Sequence, residues 1–91
     1  MRDVGLLVLV SLSDGPKHGY AIQLDIESFA QLRLGPGTLY GAINRLERDG
    51  AIAPVTSADR RKPYQLTPTG RSLLASRLEL LQRLVTRAAA T

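Results

Sequence analysis

The sequence contains no cysteine and no tryptophan among its 91 residues, and tyrosine and phenylalanine together make up only 4% of it. Without cysteine the chain forms no disulfide, and it offers neither a thiolate metal ligand nor a thiol nucleophile. The absence of cysteine agrees with a reducing compartment, and we expect the protein to be cytoplasmic.

The N-terminal apolar run, VGLLVLVSL over residues 4–12, is too short to span a membrane, because a spanning helix needs about 20 apolar residues. Asp3 interrupts the basic start that a signal peptide requires, and no small-residue cleavage pattern follows the run. We therefore expect the run to belong to the folded domain, and we expect no membrane partner.

Patterns that carry catalysis are also missing. Paired carboxylates and a Ser/His/Asp spacing do not stand out, and Gly35-Pro36-Gly37 lacks the lysine of a phosphate-binding loop. His18 is the only histidine, and neither a nucleophile nor a cluster of metal ligands is visible near it, which favours a packing or capping role over catalysis. We expect no enzymatic activity, no cofactor and no metal.

The charge that is present is basic and unevenly distributed. The formal net charge is +4, with three basic and four acidic side chains in residues 1–44, but nine basic and four acidic ones in residues 45–91. An excess of positive charge favours a polyanionic partner, with nucleic acid ahead of a membrane surface. A chain of this length with 44% hydrophobic residues predicts one compact domain, in which leftover apolar area is often covered by oligomerisation.

Glycine and proline residues divide the chain into five segments. Residues 3–13 are apolar on almost every side, and we interpret them as a buried helix. Residues 18–31 predict a second helix, whose core-facing stripe consists of Gly19, Ile22, Ile26 and Phe29. Tyr20 and Leu24 lie on another side of this helix, which indicates either a broad core face or a partner surface.

Residues 36–49 predict a third helix, which follows a Gly-Pro start signal and stops at Gly50, a residue able to adopt the left-handed conformation. At about 100° per residue, its apolar side comprises Leu39, Ala42, Ile43 and Leu46. Its opposite, polar and basic side comprises Gly37, Gly41, Asn44 and Arg48, flanked by Thr38 and Arg45. Tyr40 lies at the edge of the exposed side, where its ring can pack on neighbouring structure while its hydroxyl contacts a phosphate; a core tyrosine is the alternative.

The segment after Gly50 predicts a β-hairpin with a basic tip formed by Arg60, Arg61 and Lys62. Pro54 and Pro63 exclude either strand from the middle of a large sheet. A small two-stranded wing is the structure expected here.

The last segment predicts a helix with Thr67 as N-cap and Pro68 at its first position, running to about Ala90. An a/d heptad seam follows from the spacing of Leu74, Leu78, Leu81, Val85 and Ala88. Leu73, Leu80 and Leu84 widen the apolar face, so we expect the helix to pack on its own domain and on a second chain. The alternative is a lone amphipathic helix that covers only its own core.

The order helix, helix, turn, helix, hairpin is that of a winged helix-turn-helix domain, whose third helix enters the major groove. Three strings, GPKHGYAI, GTLYGAINRLERDGAI and RRKPYQLTPTG, together resemble the PadR family of transcriptional regulators from about residue 6 to residue 81. The resemblance implies a mainly α fold with a small β-hairpin: a winged helix-turn-helix domain over residues 1–67 and a C-terminal dimerisation helix over residues 68–91 in the same compact unit. Gly41 departs from the family, which usually has proline at this position.

Under this resemblance the chain is expected to be a sequence-specific regulator, a repressor that binds an inverted repeat in double-stranded DNA as a homodimer. The expected DNA contacts are Gly37, Thr38, Tyr40, Gly41, Asn44, Arg45 and Arg48 on the third helix, and Arg60, Arg61, Lys62, Lys17 and His18 on the wing and the start of the second helix. Asn44 and Arg45 suit adenine and guanine edges. The alternative function is a winged-helix module that contacts proteins without reading DNA, and whether a small hydrophobic effector exists stays open.

Overall fold

The computed structural model describes residues 3–56 and 60–90. These residues form four α-helices, a short 3₁₀ turn and a small antiparallel sheet. In chain order the elements are α1 (Val4–Ser11), a 3₁₀ turn (Leu12–Asp14), β1 (Lys17–His18), α2 (Gly19–Ala30), α3 (Pro36–Arg48), β2 (Ile52–Pro54), β3 (Pro63–Leu66) and α4 (Pro68–Ala89). The predicted mainly α architecture is confirmed.

Local signals in the sequence determine where the helices begin and end. The Asp3 carboxylate accepts a hydrogen bond from the Leu6 backbone N–H at 3.0 Å and caps α1. Thr67 caps α4 in the same way, with its hydroxyl 3.0 Å from the Gly70 backbone nitrogen, as predicted. Gly50 has a φ of 79°, so it takes the left-handed conformation expected after α3.

The sheet has three strands in the order β1, β3, β2, where two were predicted. Lys17 pairs with Tyr64, and Pro54 pairs with Tyr64 from the other side, so β3 is the central strand. Pro63 is tolerated there because it is the first residue of β3, and its carbonyl still accepts from the Val55 backbone N–H at 2.9 Å. The sequence did not reveal β1, since two residues are too few to show alternation.

The core lies between α1, α2, α3 and the sheet, and α4 contributes its first half. Buried apolar side chains are Val8, Leu9, Leu12, Ile22, Ile26, Leu34, Leu39, Ala42, Ile43, Leu46, Ala51, Ile52, Tyr64, Leu66 and Leu74. Phe29, predicted to be in the core, is 43% exposed although Ala30 beside it packs against the core. At about 100° per residue, Phe29 lies about 60° around α2 from Ile26, at the edge of the buried face. Tyr20 and Leu24 are also exposed, so the broad core face considered for α2 is wrong.

Candidate nucleic-acid interface

Helix α3 presents one buried face and one exposed face, as predicted. Its buried residues are Leu39, Ala42, Ile43 and Leu46. The seven residues predicted to contact DNA are all exposed: Gly37, Thr38, Tyr40, Gly41, Asn44, Arg45 and Arg48. Among the described residues the side chains of Asn44 and Arg48 have no hydrogen-bond or ion-pair partner, so their donors are available to a ligand.

The start of α2 lies beside the wing because β1 pairs with β3. His18 caps α2, with its Nδ1 accepting from the Ala21 backbone N–H at 3.4 Å. Its Nε2 lies 3.2 Å from Nη1 of Arg61, and His18 is the strand partner of Pro63. The capping role expected for His18 is thus confirmed, and the same side chain contacts a basic wing residue.

Lys17 points away from this surface, although it precedes His18 directly. Its ammonium group donates to the Asp14 carboxylate and to the Ser11 carbonyl, and it lies 3.9 Å from Asp25 Oδ2. The Lys17 side chain is 19% exposed, and its hydrogen bond holds the pKa of the Asp14 carboxyl below the ordinary value. The structure therefore holds the Lys17 ammonium group in a polar cluster with Asp14, Ser11 and Asp25.

Gly19 brings α3 against the start of α2. A Cβ atom at Gly19 would lie 2.7 Å from Cε1 and from Cζ of the Tyr40 ring, closer than such atoms approach in proteins. Only glycine lets the two helices keep this contact with Tyr40 in place. Sequence reasoning missed this role of Gly19, since the contact is with a residue 21 positions later in the chain.

The wing supplies positive charge next to α3. Arg60, Arg61 and Lys62 are all exposed. The Lys62 ammonium group lies 3.7 Å from the Glu47 carboxylate of α3 and 5.3 Å from the centre of the Tyr64 ring. Residues 57–59, at the predicted hairpin tip, lie outside the described residues.

These elements meet around a cavity of about 200 Å³, which we name the junction cavity. Its lining residues are His18, Gly19, Tyr20, Tyr40, Arg61, Lys62 and Tyr64. Guanidinium, ammonium, imidazole and phenol groups all have donors that suit an oxygen anion such as a phosphate. The structure thus joins α2, α3 and the wing into one surface with the chemistry of a nucleic-acid interface.

Comparison with known proteins identifies the family of the chain. The model of the transcriptional regulator PadR-like family matches residues 8–76. The chain belongs to this family. Transcriptional regulator Rv3488 of Mycobacterium tuberculosis is 32% identical over 84 residues, which cover 89% of the PadR-like chain and 78% of that relative.

Two further relatives are informative. A 37.1 kDa protein in transposon Tn4556 of Streptomyces fradiae is 47% identical over 83 residues; these cover 91% of the PadR-like chain, which spans only 24% of the length of that relative. The crystal structure of Bacillus subtilis PadR in complex with operator DNA is 25% identical, with a TM-score of 0.75, over 85% of this chain and 47% of that one. The winged-helix fold is shared.

The predicted heptad seam on α4 of the PadR-like chain consists of a buried part and an exposed part. Leu74 is buried in the core of its own chain because the first half of α4 packs on α1 and β3. Leu78, Leu81 and Val85 are 46%, 39% and 61% exposed, and Ala88 is exposed as well. Leu74 therefore belongs to the domain core, and the part of the seam open to another chain begins at Leu78.

Residues 3–56 and 60–90 of the PadR-like chain contain neither a membrane-spanning helix nor a metal-binding cluster. No helix in that part of the chain is long and apolar enough to cross a membrane. The same residues contain no group of three or more histidine or acidic side chains placed to hold a metal ion.

Proposed function

We propose that this PadR-like regulator binds DNA sequence-specifically, and that it represses transcription by occupying an inverted-repeat operator as a homodimer. The observation that carries the proposal is the continuous polar and basic surface formed by the outer face of α3, the His18 end of α2 and the wing. The Bacillus subtilis relative, crystallised with operator DNA, supports DNA as the partner.

We propose a role for each of the exposed residues on the basis of its position. Helix α3 is the recognition helix, and its Thr38, Asn44 and Arg45 read base edges, with bidentate contacts available to Asn44 and Arg45. Arg48 lies in the middle of the same face, and Tyr40 lies at its margin. Gly37 and Gly41 leave the backbone open to close approach, since no atom outside the neighbouring backbone of α3 lies within 4 Å of either Cβ position.

The junction cavity and the wing hold the DNA backbone. Arg60, Arg61, Lys62 and His18 donate to phosphate oxygens, which sets the position of α3 without selecting a sequence. Lys17 takes no direct part, because its ammonium group is held by Asp14 and Ser11. Its contribution is to keep β1 and the start of α2 in place.

Dimerisation is proposed through the second half of α4. Leu78, Leu80, Leu81, Leu84 and Val85 expose a large apolar surface in the single chain, and a second copy of the same helix covers such a surface in a coiled-coil arrangement. Residues 1–67 then form the part that reads DNA, and residues 68–91 form the dimerisation helix.

The alternative function, contact with proteins alone, calls for an apolar outer face on α3. That face carries Thr38, Asn44, Arg45 and Arg48, which favours DNA.

The experiment that tests the proposal is selection of bound sites from random DNA. Two copies related by a dyad require an inverted repeat with half-sites about one helical turn apart, or a multiple of it. Asn44→Ala or Arg45→Ala should relax the preference at particular base pairs, at a cost of about 1–3 kcal/mol for each lost bidentate contact. An asymmetric or featureless consensus from the wild-type protein would overturn the proposal.

A further inference from the structure

The backbone of Leu34, in the turn between α2 and α3, is held at both of its polar groups by side chains of α2. The Leu34 N–H donates to Oε2 of Glu27 at 2.9 Å, and the Leu34 carbonyl accepts from Nε2 of Gln23 at 2.8 Å. Gln23 and Glu27 are four residues apart and therefore lie on the same side of α2. We name this pair of hydrogen bonds the turn clamp.

The turn clamp lies directly before α3, in the segment that sets the position and direction of this helix. Leu34 is 2% exposed, so its side chain is fixed in the core while its backbone is fixed by the clamp. Gly35, the N-cap of α3, has no capping side chain. The anchored Leu34 backbone, followed by Gly35 and Pro36, therefore supplies the restraint that a capping side chain gives elsewhere.

We propose that Gln23 and Glu27 are positioning residues that determine sequence discrimination by α3 without touching DNA. The inference rests on the proposed function. Hydrogen bonds to base edges need tightly defined placement, whereas attraction to phosphates depends mainly on the number of charges and tolerates small shifts. Release of the clamp lets α3 shift relative to α2, so discrimination falls more than general affinity for DNA.

The test uses variants that remove the hydrogen bonds and place an apolar side chain of similar volume at the same position. Gln23→Leu removes the donor to the Leu34 carbonyl, and Glu27→Met removes the acceptor of its N–H. Glu27→Gln keeps a carbonyl acceptor at the same place and should retain wild-type behaviour. Ser28→Ala, at an exposed position of the same helix, is the matched control.

Three quantities are measured for each protein: the ratio of Kd for unrelated DNA to Kd for the selected site, the slope of log affinity against log salt, and Tm. We expect Gln23→Leu and Glu27→Met each to lower the ratio by about tenfold, comparable to the loss of one good base contact. The salt slope should stay at the wild-type value, since the phosphate contacts are intact. The double variant should lose little more than either single variant, because both bonds hold one residue.

A lower Tm with an unchanged Kd ratio would show that the clamp serves stability alone and would overturn the inference. If Glu27→Met fails to fold, Gln23→Leu decides alone, because it leaves the Leu34 N–H bonded to Glu27. A wild-type protein that selects no site removes the proposed function together with the clamp. A wild-type protein that selects a site, with clamp variants that keep the full ratio, removes the clamp only.

Discussion

Whether a basic residue can bind a polyanion depends on what already holds its charged group. Lys17 lies in β1 and Lys62 directly before β3, and both were expected to contact DNA. The Lys17 ammonium group is held by Asp14 and the Ser11 carbonyl. The Lys62 side chain is 55% exposed and lies 3.7 Å from one carboxylate. The cost of releasing Lys17 from its cluster is therefore higher than that of turning Lys62 toward a phosphate.

This difference predicts that alanine at position 62 changes DNA binding, whereas alanine at position 17 changes stability. Lys62→Ala should reduce the slope of log affinity against log salt by about one unit, as expected for one lost phosphate contact. Lys17→Ala should leave the slope unchanged and lower Tm, because Asp14 and Asp25 lose the charge beside them. Titrations of both variants at several salt concentrations, with unfolding followed separately, measure both effects. A reduced slope for Lys17→Ala would place its ammonium group on DNA after all.

The lowered pKa of Asp3 predicts that the stability difference between the wild type and an Asp3→Asn variant depends on pH. The hydrogen bond from the Leu6 backbone N–H, and then that from Arg77, hold the pKa of Asp3 below its ordinary value of 3.8. A carboxyl whose pKa is lower in the folded state stabilises the protein above pH 3.8, and this contribution is lost as the pH falls through the lowered pKa.

Asp3→Asn should therefore be less stable than the wild type at neutral pH, by under about 1 kcal/mol because the carboxylate is half exposed. The two proteins should converge in strongly acidic solution. Urea unfolding across this pH range measures the difference. Arg77→Gln, which removes the ionic partner but leaves the cap, should show a smaller loss with the same sign. A difference that grows on acidification would contradict the assignment.

At the scale of elements, the contact of α2 with α3 depends on Gly19 and Tyr40, because the Tyr40 ring occupies the space that a side chain at position 19 would need. Gly19→Ala should lower stability by about 1 kcal/mol, since the new methyl group displaces the Tyr40 ring. In a Tyr40→Ala background the same change should be neutral or stabilising, because alanine favours a helix over glycine by up to about 1 kcal/mol. Chemical unfolding of the four proteins of this double-mutant cycle tests the contact. Equal effects in both backgrounds would show that Tyr40 does not press on Gly19.

The elements that the sequence predicted well are those with local signals. The start of α3 follows from Gly35-Pro36, and the start of α4 from Thr67-Pro68, because caps and prolines act within a few residues. The buried face of α3 follows from its period. These signals also located the exposed face that makes up most of the candidate site.

What the sequence did not predict depends on contacts between distant residues. The two residues of β1 form a strand only because β3 lies beside them. Phe29 has the correct period for the core, but it lies at the edge of the buried face of α2, where the neighbouring elements leave it 43% exposed. The turn clamp joins residues of α2 to a backbone group, and backbone groups leave no mark on the residue pattern.

At the scale of the whole molecule, the shape of the chain predicts an assembly. The molecule measures 52 × 28 × 20 Å, and a helix of 22 residues is about 33 Å long. Beyond Arg77 every described residue of α4 is exposed. The domain thus covers one half of α4, and the leucines of the other half have no cover within the described chain.

The double substitution Leu78→Glu with Leu81→Glu should abolish the proposed dimer, because it places charges on the apolar surface that a second copy would bury, at a cost of several kcal/mol. The charge-matched control is Ser72→Glu with Ser76→Glu: both serines are exposed, and at about 100° per residue they lie opposite the seam. Sedimentation at micromolar concentration should show a dimer for the wild type and the control, and a monomer for the leucine variant. The monomer should also bind a single half-site with the salt slope of one subunit, since each α3 and wing are unchanged. A wild-type monomer, or a dimer that survives both glutamates, would show that α4 does not join two chains.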